Sequence, residues 1–362
     1  MLNRIVLNNF RNYQNLVLDI GEKNNVLIGD NGQGKTNFLE AIYFTSMLRS
    51  FKTSRINEIK NLDSKDFFIG LLYNNKVDKR EKLTIKYSNG KKKLSINDQV
   101  IRKSSLFINR FKTVVFAPTD INIVVNNAAY RRRFIDIIII TLEEQAVGVM
   151  YEYNTALKQR NALLRRGKCD YELLGVFDEI IARNGAKIAN WRKIYLEKLF
   201  LEVADMVATS SSLGQDNLFN YHYSSNDNYL CEKDFLALLS QNHERDIQRK
   251  ISSTGIHLDD IDFFLNEKIL RKYGSNGQCR MLSLILKMAQ LKLLSKFKKD
   301  DSEIIVLVDD VTGDLDERFK EQFFEIIKVA NQMFFTFTDE YKTNFIGECC
   351  KYRIKNNEIV TC

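Results

Sequence analysis

The sequence predicts an α/β fold in which one lobe with a mixed sheet is built from both ends of the chain and interrupted by a mainly helical insertion. Apolar strand patterns fill roughly the first hundred residues, long helical patterns begin near residue 128, and strand patterns return after residue 252. We therefore assign residues 1–127 and 252–362 to the first lobe, with a basic, β-rich region at about 51–115. Residues 128–251 form the insertion.

The first strand patterns are NRIVLNNF, NLVLDI and NNVLI, and the third runs into GDNGQGKT and the apolar helix pattern NFLEAIYFTSMLR. Further along, KLTIKYSNGKKKLSIND alternates apolar and polar residues on both sides of Asn89-Gly90. This pattern predicts a hairpin, because Asn-Gly favours the turn with positive φ at both central residues. The segment KTVVFAPTD, which holds the only proline, is the closing strand.

Two long helical patterns, at about 130–166 and 176–208, make up most of the insertion, and we expect them to pair as an antiparallel hairpin. The segment after them, SSSLGQDNLFNYHYSSNDNY, is predicted to be loop or short strand. Strand patterns then return as IDFFLNEKI, EIIVLVDD and QMFFTFT, with a helix from Glu317. In the second helical pattern, six apolar residues recur at one-face spacing: Phe177, Ile181, Ile188, Trp191, Tyr195 and Leu199.

Composition limits the possible classes of protein. Six cysteines without CxxC spacing and only three histidines argue against a zinc site. The polar start of the chain does not fit a signal peptide, and no apolar run approaches the roughly 18 residues of a membrane span. We expect a cytoplasmic protein with reduced thiols and no membrane association.

The positive charge is concentrated in one part of the chain. Residues 51–115 contain sixteen Lys and Arg against six Asp and Glu, a net charge of +10, whereas the whole chain carries +8. Such a region fits a lysine-rich surface that protects strand edges. It fits equally a surface that binds the phosphate backbone of nucleic acid. The sequence leaves both interpretations open.

The segment GDNGQGKT fits the phosphate-loop pattern G-x-x-x-x-G-K-[ST] and lies between a predicted strand and a predicted helix. We expect Lys35 to reach the β and γ phosphates of ATP and the Thr36 hydroxyl to ligate Mg²⁺. The glycines let backbone N–H groups face the phosphates. The predicted nucleotide-binding residues of this segment are Gly29, Asp30, Asn31, Gly32, Gln33, Gly34, Lys35, Thr36 and Asn37.

A carboxylate for the metal is expected at the end of the buried strand pattern EIIVLVDD. There Asp309 is predicted to contact the magnesium shell, and Asp310 to accept a proton from the attacking water. Together with Lys35 they form the predicted catalytic set. Two acids after a strand are in themselves also typical of a helix N-terminus, so this interpretation depends on the phosphate loop.

A second glycine-rich helix start, GSNGQCR, follows at residues 274–280 without a lysine. The segments GDNGQGKTN, GSNGQCR, VLVDD and GDLDERF occur in the order seen in ATP-binding-cassette (ABC) ATPases that act on DNA. With NRIVLNNFRNYQN, VVFAPTDINIV, YRRRFIDI, YNTALKQRNALL and TGIHLDDIDFFLN, the whole chain closely resembles the RecF family of bacterial recombination and gap-repair ATPases.

The resemblance implies an ABC-type P-loop ATPase lobe with an inserted helical lobe. It implies binding of ATP with Mg²⁺, dimerisation on ATP, slow hydrolysis, and binding of double-stranded DNA and of junctions between single and double strands. A RecR-type mediator protein would be the partner in bringing a recombinase to gaps.

The resemblance also assigns Arg11 to the nucleotide, Asp316 to a loop that crosses the dimer interface, and Thr336 or Thr338 to the γ-phosphate switch. It assigns the signature motif to Ser275, Gly277 and Gln278.

The chain departs from the family pattern at GIHLDD, where Ile256 and Leu258 replace a proline and an arginine. A proline before the arginine pair is also missing at NNAAYRRRF, and compositional drift explains both losses. We expect a structural role for His257. The Arg131–Arg133 run either contacts DNA or pairs with acids in its own lobe, and the packed helix start favours the second use.

Two other functions compete with a repair ATPase. One is a nucleotide-gated DNA scaffold in which hydrolysis is incidental. The other is the nucleotide-binding subunit of a membrane transporter. The basic region and the absence of an LSGGQ-like sequence with its leading leucine argue against the transporter.

Overall fold

The computed structural model describes residues 1–53, 55–74, 80–166, 170–209, 218–297, 302–311, 317–340, 346–355 and 358–361. The chain divides into two compact units. The first comprises Met1–Asp120 and Gln290–Cys362, and the second comprises Ile121–Ala289.

The elements of the first unit come from both ends of the chain, and helix α9 begins in the second unit and ends in the first. From the start of the chain to residue 120 they are β1 (Leu2–Phe10), β2 (Tyr13–Asp19), β3 (Asn24–Ile28), α1 (Lys35–Met47), β4 (Phe67–Asn74), β5 (Arg80–Ser88), β6 (Lys91–Ile96), β7 (Gln99–Ile101) and β8 (Lys112–Phe116). The second unit contains α2 (Asn122–Val125), α3 (Ala128–Leu142), α4 (Ala146–Leu164), α5 (Tyr171–Thr209), β9 (Phe219–Ser224), α6 (Glu232–Gln241), α7 (His243–Arg249), β10 (Asp260–Leu265), β11 (Lys268–Ile269), α8 (Leu270–Tyr273) and α9 (Asn276–Phe297). The last part of the chain adds β12 (Ile304–Asp309), α10 (Glu317–Ile327), β13 (Gln332–Phe337), β14 (Cys350–Lys355) and β15 (Glu358–Thr361).

Two six-stranded sheets form the first unit. One is antiparallel, in the order β2-β1-β4-β5-β6-β7, and the other is mixed, in the order β15-β14-β3-β13-β12-β8. Within the mixed sheet the strands from β14 to β8 are parallel, and only β15 is antiparallel. Its strands β12, β13 and β8 are buried along their whole length, as parallel strands covered on both faces are. The prediction of a mixed sheet built from both chain ends is confirmed.

The predicted hairpin at Asn89-Gly90 is confirmed. Strands β5 and β6 pair antiparallel from Ser88 and Lys91 outward, and φ is +50° at Asn89 and +75° at Gly90. Alternate residues of both strands are buried, so the remaining side chains share the opposite face of the sheet.

Helices α4 and α5 of the second unit are antiparallel, as predicted for the two helical patterns, but the first pattern, at about 130–166, is not one helix: it is broken at residues 143–145 into α3 and α4. Arg160 of α4 pairs with Asp178 near the start of α5, and Glu152, earlier in α4, accepts a hydrogen bond from Asn184, later in α5. The segment predicted to be loop or short strand contains β9, and residues 210–217 of it lie outside the described residues. The unit also holds a three-stranded antiparallel sheet, β11-β10-β9.

The second unit extends past residue 252, where the sequence analysis places the end of the helical insertion. Strand β10 pairs with β9 along its whole length, so residues 260–265 are held to a strand that precedes the predicted boundary. Strands β14 and β15 had no counterpart among the sequence predictions. Among the helices of the described residues, none combines the length and hydropathy that a bilayer span requires.

Buried arginine–carboxylate pairs hold the second unit together. Arg192 donates to both oxygens of Asp136 at 2.9 and 3.0 Å and to Asp259 at 3.0 Å. Arg131 donates to both oxygens of Asp260 at 2.7 and 3.1 Å, and Arg132 donates to the Asp259 carbonyl. Two of the three arginines in the run are thus paired inside their own unit.

The GIHLDD segment keeps both acids in this arginine network, and Leu258 is 55% exposed. His257 is half-buried, with Nδ1 3.0 Å from the Tyr153 hydroxyl. Burial lowers the pKa of His257 to about 4, so its imidazole is neutral near pH 7. These contacts agree with the structural role expected for this histidine.

Replacing Arg160 tests this network. Its side chain is fully buried and lies 2.6 Å from both Asp178 and Asp246, which are also fully buried. Arg160→Met removes the guanidinium that the two buried carboxylates share and leaves only Asp178 with another basic partner, His243, so we expect a loss of about 3–5 kcal/mol in the free energy of unfolding. The measurement is urea unfolding followed by the fluorescence of Trp191, the only tryptophan, which lies in α5.

The matched control is Arg183→Met. Arg183 lies 3.9 Å from Glu152, and both side chains are more than half exposed. We expect a change below about 0.5 kcal/mol. Equal unfolding curves for the two variants would contradict the stabilising role of the buried network.

Candidate functional site

The predicted phosphate loop joins β3 to α1 at the carboxyl end of the parallel strands. Gly32 and Gly34 have φ of +83° and +110°, a region that glycine adopts without a Cβ clash. The Nζ of Lys35 donates to the carbonyls of Gly29 at 2.5 Å and Asp30 at 2.9 Å. Burial lowers the pKa of Lys35, and nearby carboxylates, Asp310 first, oppose that shift. The loop therefore holds its lysine folded back over its own backbone.

Two residues that the sequence analysis did not select support this loop. The Tyr13 hydroxyl donates to the Gly34 carbonyl at 3.1 Å, and Asn12 Nδ2 donates to the Gln33 carbonyl at 3.2 Å. A Cβ at position 34 would lie 2.5 Å from Asn12 Nδ2. Asn12 and Tyr13 directly follow Arg11 in the NFRNY segment. Their position next to Arg11 is the only feature of the sequence that could have indicated a role at the nucleotide site.

Three oxygens meet at the end of β12. The Asp309 carboxylate accepts hydrogen bonds from the hydroxyls of Thr36 at 2.8 Å and Thr336 at 2.9 Å. Asp309 and Thr336 are register partners in neighbouring parallel strands, and Thr36 lies in the first turn of α1. Burial raises the pKa of Asp309, while these two hydrogen bonds lower it. The predicted metal residues Thr36 and Asp309 are therefore adjacent.

This oxygen cluster fits Mg²⁺. Magnesium is commonly held by one or two carboxylates together with waters and substrate phosphates, not by an all-protein cage. Within the described residues there is no group of three or more His, Cys, Asp and Glu that could hold a metal ion, and at the end of β12 the Asp309 carboxylate lies beside two threonine hydroxyls. Such a site needs phosphate oxygens to complete it.

The other predicted acids differ in their surroundings. Asp310 is exposed and has φ of +50°, which turns the chain sharply after the buried strand. Asp316 lies outside the described residues. Of the two candidate threonines for the switch, Thr336 contacts Asp309, whereas the Thr338 hydroxyl donates to Asp339 at 3.1 Å.

Arg11 is held by a buried acid of α1. Its Nε and Nη2 donate to the two oxygens of Glu40 at 2.8 and 2.7 Å, and its Nη1 donates to the Glu58 carbonyl. Glu40 is fully buried and also accepts from the Ser50 hydroxyl. The Ser50 oxygen in turn accepts from the backbone N–H of Lys52 at 2.9 Å.

A chain of amides extends from the loop to a lysine. Asn37 Nδ2 donates to Asn12 Oδ1 at 2.8 Å, and Lys52 Nζ donates to Asn37 Oδ1 at 2.9 Å. Lys52 begins the basic region and acts to lower the pKa of Asp309. In the sequence alone, Lys52 is only one of the sixteen cationic residues of the basic region.

The predicted signature residues lie in the second unit, at the start of α9. The backbone N–H of Ser275 donates to Gln278 Oε1 at 2.9 Å, and the N–H of Gln278 donates to Ser275 Oγ at 3.2 Å. This reciprocal pair is a capping box, which fixes the first turn of a helix. Ser275 and Gly277 are exposed, and Gln278 is half-buried.

A phosphate loop at the carboxyl edge of a mixed sheet, a buried strand that ends in an acid beside it, and an inserted helical unit define a P-loop ATPase of the ABC type. The family model of the RecF/RecN/SMC N-terminal domain matches residues 1–360.

Known proteins of this class align over nearly the whole chain. The DNA replication and repair protein RecF of Clostridium perfringens (strain SM101 / Type A) is 32% identical over 353 residues, covering 97% of each chain. The protein of that name from Leptospira interrogans serovar copenhageni is 33% identical over 357 residues, covering 96% of this chain and 94% of the relative. A solved structure of the recombination mediator protein RecF-ATP in the RecFOR pathway has a TM-score of 0.88 and 28% identity, and covers 100% of this chain and 97% of its own. The chain belongs to the RecF family.

Alanine at position 34 tests the geometry of the loop. Gly34→Ala requires a left-handed φ of a residue with a Cβ, which costs about 1–2 kcal/mol, and forces that Cβ against Asn12. We expect at least a tenfold loss of affinity for a fluorescent ATP analogue, measured by titration.

Two alanine variants serve as comparisons. At Gly32 a Cβ would meet nothing within 4 Å, so Gly32→Ala should lose less affinity than Gly34→Ala. Gly148 lies in α4 with open space around it, so Gly148→Ala should bind as the unaltered chain does. A Gly34→Ala variant with normal affinity would disprove the steric requirement.

Proposed function

We propose that this chain is an ATP-dependent DNA-binding protein of recombinational and replication-gap repair. ATP binding drives two copies to dimerise around double-stranded DNA, and slow hydrolysis resets the dimer. The single observation that carries the nucleotide chemistry is the Asp309 carboxylate, which accepts from both Thr36 and Thr336 beside the Lys35 loop. Proteins of the same family that are named DNA replication and repair protein RecF support the role in repair.

In the proposed site the backbone N–H groups of Gly29 to Asn37 surround the phosphates. When ATP binds, the Lys35 ammonium leaves the carbonyls of Gly29 and Asp30 and binds the β and γ phosphates. Hydrogen bonds between two charged groups are stronger than those to a neutral carbonyl. Mg²⁺, when bound, neutralises phosphate charge, with Thr36 and Asp309 as its protein ligands.

Hydrolysis is proposed to use the two acids after β12 differently. Asp309 keeps its carboxylate buried with the threonine hydroxyls. Asp310, exposed and turned by its positive φ, accepts the proton of the attacking water. Thr336 donates to Asp309 and lies in the neighbouring strand β13. We propose that this contact transmits the binding of the γ-phosphate to β13.

The proposed dimer uses the start of α9. Its N-terminal backbone dipole favours an anion, and the capping box holds Ser275 in one geometry. Since Lys35 and its loop already serve the phosphates in the same copy, the exposed Ser275 hydroxyl and Gly277 are proposed to bind the γ-phosphate of a second copy. We propose that Arg11 contributes to the nucleotide while Glu40 holds its guanidinium.

The proposed partners are double-stranded DNA, junctions between single and double strands, and a RecR-type mediator protein. A solved structure that covers the whole chain at 28% identity is that of a recombination mediator protein in the RecFOR pathway, and it supports this proposal. We propose a cytoplasmic protein that works with such a mediator in loading a recombinase, with no membrane partner.

Lys35→Ala tests the catalytic proposal. Removing the cation that faces developing phosphate charge should lower ATP turnover at least 100-fold. The measurement is phosphate release with excess ATP and Mg²⁺, and Lys65→Ala, at an exposed lysine of the same unit, is the control. Turnover within twofold of the unaltered chain would refute the assignment of Lys35.

Ser275→Arg tests the dimer. We expect ATP affinity of the monomer to be retained and ATP-induced dimerisation to be lost, because a bulky cation replaces the hydroxyl at the proposed contact. Sedimentation velocity with and without ATP measures both states. Ser275→Thr keeps the helix cap and should dimerise, which separates the contact from the roughly 1 kcal/mol effect of losing the cap. Normal dimerisation of the arginine variant would overturn the proposal.

A further inference from the structure

Three exposed lysines lie on one face of the antiparallel sheet. In the pairing of β5 with β6, Lys86 lies directly opposite Lys93, and Ser88 lies opposite Lys91. Their neighbours Ile85, Tyr87 and Leu94 are buried, so the lysines lie on the outer face, and all three are exposed. Lys86, Lys91 and Lys93 are called the lysine face below.

The arrangement costs stability. Like charges directly opposite each other on a sheet are destabilising. Over the parts of the chain that the structure describes, no hydrogen bond or ion pair is formed by these three side chains. By contrast Lys82, on the same strand and face, pairs with Asp98 at 2.8 Å. The lysine face therefore keeps uncompensated positive charge.

Protection of a sheet edge explains only part of this charge. Strand β7 pairs with β6 from Leu94 to Ile96, which leaves Lys91 and Lys93 at an edge where lysines prevent strand addition. Lys86 is different, because it lies inside the sheet, between Phe68 of β4 and Lys93 of β6. A lysine at an interior position does not protect an edge.

The side chains that lie in register with Lys86 and Lys93 form a row across the sheet, and this row contains no acidic residue. From one strand to the next, the row runs Asn15, Asn8, Phe68, Lys86, Lys93. Four strand spacings of about 4.8 Å give a span of about 19 Å. The neighbouring row also contains no acid, and consists of the uncharged residues Val17, Val6, Gly70, Thr84, Ser95 and Val100.

We propose that the lysine face binds the phosphate backbone of double-stranded DNA. The span of the row exceeds the roughly 12 Å width of the major groove, so amides and lysines can reach phosphates on both sides of it. The row through Lys86 and Lys93 and the neighbouring row through Thr84 hold no carboxylate that would repel the polyanion, and phosphate contacts by lysines need no base sequence. This inference rests on the proposed DNA binding and names the surface that carries it.

The test is a salt series with the full chain, ATP and a labelled 30-base-pair duplex. The triple variant Lys86→Gln, Lys91→Gln, Lys93→Gln should bind more weakly, with a slope of log K against log salt shallower by about 2.7, which is 0.9 for each phosphate contact. The control, Lys187→Gln, Lys193→Gln, Lys233→Gln, removes the same charge from exposed positions of the second unit and should keep the slope. ATP affinity should stay unchanged in both variants.

The outcomes separate this inference from the proposed function. If the unaltered chain binds duplex but the triple variant has the same slope, the lysine face is refuted and the proposed DNA binding stands. If the unaltered chain does not bind the duplex in the presence of ATP, both the proposed DNA binding and the role of the lysine face are refuted. If the triple variant lost affinity for single strands of equal length but not for the duplex, the assignment of the lysine face to double-stranded DNA would be overturned.

Discussion

The Asp309 carboxylate is the point on which the nucleotide site depends. It accepts from Thr36 of α1 and Thr336 of β13, and thereby ties the phosphate-loop helix to two neighbouring strands. This is possible only because β3, β13 and β12 are adjacent and parallel, so that their carboxyl ends lie at one edge. The strands come from opposite ends of the chain.

A second buried carboxylate, Glu40, organises the surroundings of the loop. It holds the Arg11 guanidinium through two hydrogen bonds and accepts from Ser50. A buried acid without a cation would be costly, so Glu40 requires Arg11, and Arg11 requires the sharp turn at its φ of +53°. The same network fixes the backbone of Lys52, whose Nζ reaches Asn37. The start of the basic region is thus attached to the helix of the phosphate loop.

Local patterns indicated much of this in the sequence. The glycines and Lys35, the buried strand that ends at Asp309, and the Asn89-Gly90 turn each depend on neighbours in the chain, so sequence spacing reveals them. Tyr13 and Thr336 could not be selected in that way. A tyrosine beside a strand and a threonine at a strand end are common, and only the pairing of distant segments places them against Gly34 and Asp309. The pairing of β10 with β9, which extends the second unit, is hidden for the same reason.

The chain uses its two kinds of cation differently. Arg131, Arg160 and Arg192 are buried against carboxylates, where a planar guanidinium can satisfy two oxygens at once. Lys86, Lys91 and Lys93 stay exposed, where a compact, mobile ammonium can follow a row of phosphates. Since the arginine run at 131–133 has two of its members paired inside, charge density in the sequence alone does not locate a DNA surface. Among the described residues the three lysines form no ion pair with a carboxylate, and this difference favours the sheet over the arginine run as the proposed DNA surface.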